Sequence, residues 1–179
     1  MDLTVDFFTL FRLPRTFRID LAELDARYLE IQSQVHPDRH VRAGEGERRL
    51  SMQWAARANE AYLTLKKPLE RARYLLSLAG RDPEIERNTI MEPEFLMEQM
   101  EWREAVQEAR QGGDHHELER LHHRLRLDLK KHHAELASLL DDRQDYAAAA
   151  GLARRLMFLE KLLAEIDKTL AELEDGMDN

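Results

Sequence analysis

Six of the chain's histidines stand in three adjacent pairs, His115-His116, His122-His123 and His132-His133, an arrangement that raises the question of metal binding. Glu119 and His122 form a Glu-x-x-His step, which places both side chains on one helical face, as in di-iron carboxylate bundles. Such a centre needs a second Glu-x-x-His step on another helix and two further facing carboxylates, and the sequence holds no second step. No His-Glu-x-x-His occurs either. With zero cysteines there is no disulfide, no thiolate metal site and no sulfur ligand for an iron-sulfur cluster. The histidines are therefore expected to line a solvated face of a charged helix, with no metal and no other cofactor. His36 and Asp38 are the other pair that could move a proton. No nucleophile-base pair, phosphate-cradling glycine loop or metal triad stands with them, so the chain is expected not to be an enzyme.

The elements that would position these residues are helical. A hydrophobic content of 43% beside 35% charged residues suits amphipathic helices and is too apolar for a disordered chain. The 7 glycines and 5 prolines are few and act as punctuation between long periodic stretches. A short helix is expected from Asp6 to Leu13, ended by Pro14. Asp20 followed by Glu23 is a capping-box-like start, after which Leu21, Leu24, Tyr28, Ile31 and Val35 recur at helical spacing until Pro37. Residues 39–49, with Gly44 and Gly46 among charges, read as a loop. Leu50, Trp54, Ala58, Ala61, Tyr62 and Leu65 then form another stripe, closed by Pro68, and a short segment from Leu69 to Leu78 follows.

Beyond a connector the pattern changes to three long helices joined by two short breaks, a helical bundle. Pro93 suits a first helical position, and Gly112-Gly113 ends the helix it opens. Asp114 with Glu117 caps the next, which carries Leu118, Leu121, Leu125, Leu129, Leu136 and Leu140. The last stripe, Leu152, Leu156, Leu159, Leu163, Ile166, Leu170 and Leu173, steps alternately by four and three like a coiled-coil seam. The expected organisation is all-α: an N-terminal domain over residues 1–78, a connector over 79–92, and a three-helix bundle over 93–176.

The His36-Pro37-Asp38 triplet gains meaning from its place. It follows one amphipathic helix, leads into a charged loop and precedes a second helix, and two antiparallel helices with this triplet at their joint resemble the J domain of chaperone co-factors. The likeness extends through Phe7-Phe8-Thr9-Leu10-Phe11, Asn59-Glu60-Ala61-Tyr62, Pro68-Leu69-Glu70-Arg71-Ala72 and Tyr74-Leu75-Leu76-Ser77-Leu78. With Phe95-Leu96-Met97-Glu98-Gln99 and the C-terminal three-helix pattern, nearly the whole chain is similar to the HscB family, J-type co-chaperones of iron-sulfur cluster assembly. The resemblance implies a division of labour. The J domain engages an HscA-type heat-shock chaperone and stimulates its ATPase, and the C-terminal bundle carries the cluster scaffold IscU. His36, Pro37, Asp38, Arg39 and Arg27 are then the chaperone-binding residues. Only Arg27 lies in the body of the helix before the triplet, a thinner basic face than J domains usually carry, with Arg39 and Arg42 following the triplet.

The client site can also be approached from periodicity. At about 100° per residue, Phe95, Trp102, Val106 and Ala109 fall on one side of the helix from Pro93, and Leu96, Met97 and Met100 almost opposite, bordered by Glu101 and Glu104. One face packs on the bundle; the other is either covered by another element or free for a partner, a use that suits methionine. Phe158 lies roughly 120° off the leucine seam of the last helix and is expected outside the core. The family resemblance makes Leu96, Met97, Met100, Glu101, Glu104 and Phe158 scaffold-binding residues.

A net charge of −8 repels phosphate backbones and anionic lipid, and no basic patch offsets it, so neither nucleic acid nor membrane is an expected partner. The first residues lack the basic region of a signal peptide and no apolar run nears the roughly 20 residues of a membrane span, so a cytoplasmic location is expected. A general DnaK-partner J-protein with a different client, and a purely structural helical hairpin, are the competing readings.

Overall fold

A computed structural model describes residues 4–35, 44–81 and 93–177, and every regular element among them is helical. The chain divides into two units, residues 1–78 and 79–179. In the first, a single turn α1 (Phe7–Leu10) precedes α2 (Leu21–Val35), α3 (Glu45–Lys66) and α4 (Pro68–Leu78). In the second, α5 (Pro93–Gln111), α6 (His115–Ala137) and α7 (Tyr146–Met177) form the bundle.

α1 is held by its cap. The Asp6 carboxylate accepts from the backbone N–H groups of Phe8 and Thr9 at 3.0 and 3.1 Å, from the Thr9 hydroxyl at 2.6 Å and from Arg15 at 2.8 Å. Partial burial acts to raise its pKa, yet these bonds and the Arg15 charge bring it below the usual carboxylate value. The helix is shorter than the expected 6–13, because Arg12 takes a left-handed φ of 56°. That turn still sends Phe11 and Leu13 inward, where they join Phe8, Leu24, Leu65 and Leu76 in the core. Phe7 stacks on Tyr74 of α4 with ring centroids 4.3 Å apart, and its N–H donates to the Tyr74 hydroxyl at 3.0 Å.

α2 and α3 form an antiparallel hairpin: Asp25 near the start of α2 meets Lys66 at the end of α3, and Val35 at the end of α2 meets Ser51 near the start of α3. Residues 45–49, expected in a loop, belong to α3. Extended Gly44 precedes its first turn, where Glu45 and Glu47 favour the positive end of the helix dipole. The stripe also shifts: Trp54, Ala58, Ala61 and Leu65 are buried, but Leu50 is 50% exposed and Ser51 takes the inward position.

In the bundle Asp114 caps α6 by accepting from the Glu117 N–H at 3.0 Å, after Gly113 turns the chain with φ 62°. All six leucines expected on α6 and its extension are buried. Leu139 and Leu140 lie in a wide π turn over Ser138–Asp142, and the break into α7 falls at residues 143–145, with Gln144 at φ 54°. On α7 the deepest described residues are Ala149, Ala150, Ala153, Leu156, Leu159, Leu162, Ile166 and Thr169. Leu152, Leu163, Leu170 and Leu173 are only half buried, because the inward positions step by three through Ala150, Ala153, Leu156, Leu159 and Leu162 and so leave the seam of alternating four and three.

Candidate functional site

His36, Pro37, Asp38 and Arg39 lie outside the described residues, as does Arg42; the frame from which that segment departs is described. At its near end the buried Ser51 hydroxyl donates to the backbone carbonyl of Val35 at 2.6 Å. Val35 immediately precedes His36, and its carbonyl is one of the terminal acceptors that a helix cannot satisfy internally. Ser51 thus ties α3 to the last residue of α2 before the triplet. No motif marks it; its only signal is a serine at a register where the stripe calls for an apolar residue.

At the far end of the hairpin Lys66 donates to Asp25 Oδ2 at 2.8 Å and the Tyr62 hydroxyl to Asp25 Oδ1 at 3.0 Å. The Lys66 and Tyr62 hydrogen bonds lower the Asp25 pKa, and the bond to Asp25 raises that of Lys66. Tyr62 also stacks on Tyr28, with centroids 4.1 Å apart. Arg27 projects from α2 between Glu23 and Glu30, at 3.4 and 3.5 Å, so its charge is shared with two carboxylates of its own helix.

α5 has the two faces expected of it. Trp102, Val106 and Ala109 are buried, Phe95 is half buried, and the Arg124 guanidinium of α6 lies 4.5 Å over the Trp102 ring. On the other side Leu96, Met97 and Met100 are 49%, 62% and 63% exposed, flanked by exposed Glu101 and Glu104. Three adjacent apolar side chains on one helical edge form a contiguous patch, whereas a single exposed leucine is ordinary.

Phe158 is half buried and belongs to the α5–α7 contact. Its ring meets Phe95 edge to face at 6.1 Å, with Arg103 at 5.7 Å over its face. Beside them Arg155 reaches Glu98 at 2.6 Å and lies 5.9 Å over Phe95. Of the scaffold-binding candidates, five lie together on α5, and Phe158 stands at the α7 border of the same helix.

The histidines depart from the expected solvated face. His116 and His123 are exposed, but His115, His122 and His133 turn toward α7. His122 Nε2 lies 2.8 Å from Asp167, His133 Nε2 3.5 Å from Glu160 and His115 Nε2 3.7 Å from Glu174. The reason is register: steps of seven and eleven along α6, each close to a whole number of helical turns, meet steps of seven along α7 at the margin of the leucine seam. Among the described residues no three histidine or carboxylate side chains are grouped to hold a metal ion. No helix among them is long and apolar enough to cross a membrane.

The family of the HSCB C-terminal oligomerisation domain matches residues 91–167. The "Co-chaperone protein HscB homolog" of Aromatoleum aromaticum is 56% identical over 174 residues, covering 97% of this chain and 98% of the relative. That of Azoarcus sp. (strain BH72) is 57% identical over 175 residues, covering 98% and 99%. Among solved structures, the chaperone HscB from Vibrio cholerae superposes with a TM-score of 0.82 at 34% identity, over 94% of this chain and 99% of that one. The human co-chaperone protein HscB gives a TM-score of 0.87 at 28% identity, over 93% and 83%.

Proposed function

This chain belongs to the HscB family of co-chaperones, and on that premise we propose that it binds the iron-sulfur scaffold IscU through α5, delivers it to an HscA-type heat-shock chaperone and stimulates that chaperone's ATPase. The observation that carries the proposal is the exposed Leu96, Met97 and Met100 patch on a helix whose opposite face is buried. A patch of that kind is a docking surface: covering it removes apolar area from water, and the unbranched methionines adapt to the partner's shape. Glu101 and Glu104 flank it and set orientation, and Phe158 supplies an aromatic border.

His36, Pro37 and Asp38 are the chaperone contact in this reading, with Arg27 and Arg39 as the accompanying charges. ATP is the chaperone's substrate, so this chain performs no hydrolysis itself. The setting is cytoplasmic, and no cofactor, nucleic acid or lipid takes part.

The test is the steady-state ATPase of the HscA-type chaperone with this chain and IscU, each omitted in turn, beside a His36→Gln variant. Stimulation by the pair beyond the sum of each alone, lost in the variant, is the expected result. Stimulation indifferent to IscU points instead to a general J-protein with another client. No stimulation with active partners refutes the proposal.

A further inference from the structure

The exposed edge of α5 does not end at Met100. Leu96, Met100, Arg103, Gln107 and Arg110 follow one another at intervals of four, three, four and three residues, which keeps them in one line along the helix. The lower half of that line borders α7. Contacts between the two helices advance together, Phe95 with Phe158, Arg103 with Phe158 and Arg110 with Glu172, so α5 and α7 run parallel. A groove lies between them, with Val106 and Leu162 on its floor, Arg103, Gln107 and Arg110 on one wall, and Phe158, Lys161 and Glu165 on the other.

The electrostatics of this groove oppose those of the chain. Three cations, Arg103, Arg110 and Lys161, face one carboxylate, Glu165, in a protein of net charge −8. Arg110 is 3.8 Å from Glu172, a loose and exposed pair. Arg103 and Lys161 have no carboxylate partner among the described residues, although the bundle's surface is rich in acids. Two unneutralised cations beside an apolar floor suit a segment that brings both negative charge and an apolar side chain.

We propose that the Leu96–Met100 patch continues into this groove, and that the groove receives an acidic segment of the same client, Arg103 and Lys161 pairing with its carboxylates while an apolar side chain of the segment rests on Phe158 and Leu162. The proposal rests on the scaffold-binding reading of α5 and extends it: the apolar patch supplies contact area, and the cationic groove fixes the direction in which the client lies. Glu101 and Glu104 stand on the opposite border of the patch, so the site is acidic along one edge and basic along the other.

The test is a titration of purified cluster-free IscU against the full-length chain over a series of salt concentrations. Arg103→Glu with Lys161→Glu, and Lys161→Glu alone, are compared with wild type, with Leu96→Ala/Met100→Ala, and with Lys130→Glu/Lys131→Glu on α6 as a net-charge control for the double reversal. Lys161 makes no hydrogen bond or ion pair among the described residues, so Lys161→Glu separates binding from folding, and the melting temperature and far-UV helix signal check this in each variant. The expected result is a loss of about tenfold in affinity for the double reversal at low salt, with a shallower dependence on salt than wild type. A double reversal that binds like Lys130→Glu/Lys131→Glu with an unchanged salt slope, while Leu96→Ala/Met100→Ala binds weakly, overturns the groove and leaves the α5 patch standing. If Leu96→Ala/Met100→Ala also binds like wild type, the scaffold site itself is overturned, and the groove with it.

Discussion

Replacing Leu96 and Met100 together by alanine separates a docking role from a packing role, because both side chains are already part exposed in the free protein. Fully burying a leucine or methionine side chain contributes about 1.5–3 kcal/mol. With 49% of Leu96 and 63% of Met100 still in water, a partner that covers both recovers roughly half of that from each, about 2–3 kcal/mol in all. Alanine keeps the β-carbon, so the expected loss is about 2 kcal/mol, on the order of 30-fold in Kd. Folding should hardly notice. Exposed substitutions away from special features change stability by about 0.5 kcal/mol or less, and alanine has the best helix propensity. Calorimetric titration against cluster-free IscU, with thermal melts of the same samples, reads both quantities. Affinity within twofold of wild type would show that this patch is not the docking surface. A melting temperature lowered by many degrees would show that Leu96 and Met100 support the bundle.

Ser51→Ala removes the hydroxyl that donates to the Val35 carbonyl in the buried hairpin seam, so the N-terminal domain should lose about 1–3 kcal/mol in denaturant unfolding, with reduced chaperone stimulation, and Ser51→Thr should recover part of both. Asp25→Asn should lower the melting temperature most across the neutral range, by a pH argument whose sign is fixed at each end. The depressed Asp25 pKa gives stability that is present above the ordinary carboxylate value and lost as pH falls through the lowered one. The raised Lys66 pKa gives stability present below about 10.5 and lost as pH rises through the raised value. Wild-type and variant melting curves should therefore converge in strong acid and in strong base, and a difference that persists unchanged in acid refutes the pairing.

Helices, caps and breaks were legible because each rests on local chemistry. Asp20, accepting from the Ala22 and Glu23 N–H groups at 2.8 and 3.2 Å, and Asp114, accepting from Glu117, satisfy the free donors of a first helical turn wherever they occur. The two faces of α5 were legible for the same reason, since periodicity alone separates Trp102, Val106 and Ala109 from Leu96, Met97 and Met100. What periodicity left open was whether the second face is covered, a question of tertiary packing. Leu50 shows the complementary error. A leucine at the edge of a stripe reads as core, yet once α3 begins at Glu45 the inward register falls on Ser51, which the Val35 carbonyl satisfies. The histidines failed for a related reason: each pair reads as polar surface, and only the register of α6 against α7 turns one member of a pair toward a carboxylate.

Phe158 shows how the two faces of α5 depend on each other. An exposed apolar patch is useful to a partner only if the helix that carries it is already held, since ordering it on binding would subtract from affinity. α5 is held from behind by Trp102, Val106 and Ala109, but at its first two turns Phe95, the apolar residue on that face, is only half buried. There the lashing is lateral: Phe158 on the Phe95 ring edge, Arg103 over Phe158, and Arg155 bridging Phe95 and Glu98. Each contact joins α5 to α7 at the level of Leu96 and Met100, so the turn that presents the patch is the turn that α7 secures. Phe158 therefore has two roles that one truncation would mix, a lateral brace for α5 and an apolar border beside the patch. A weakened Phe158→Ala variant cannot assign the docking surface by itself. Leu96 and Met100, exposed and outside that brace, can.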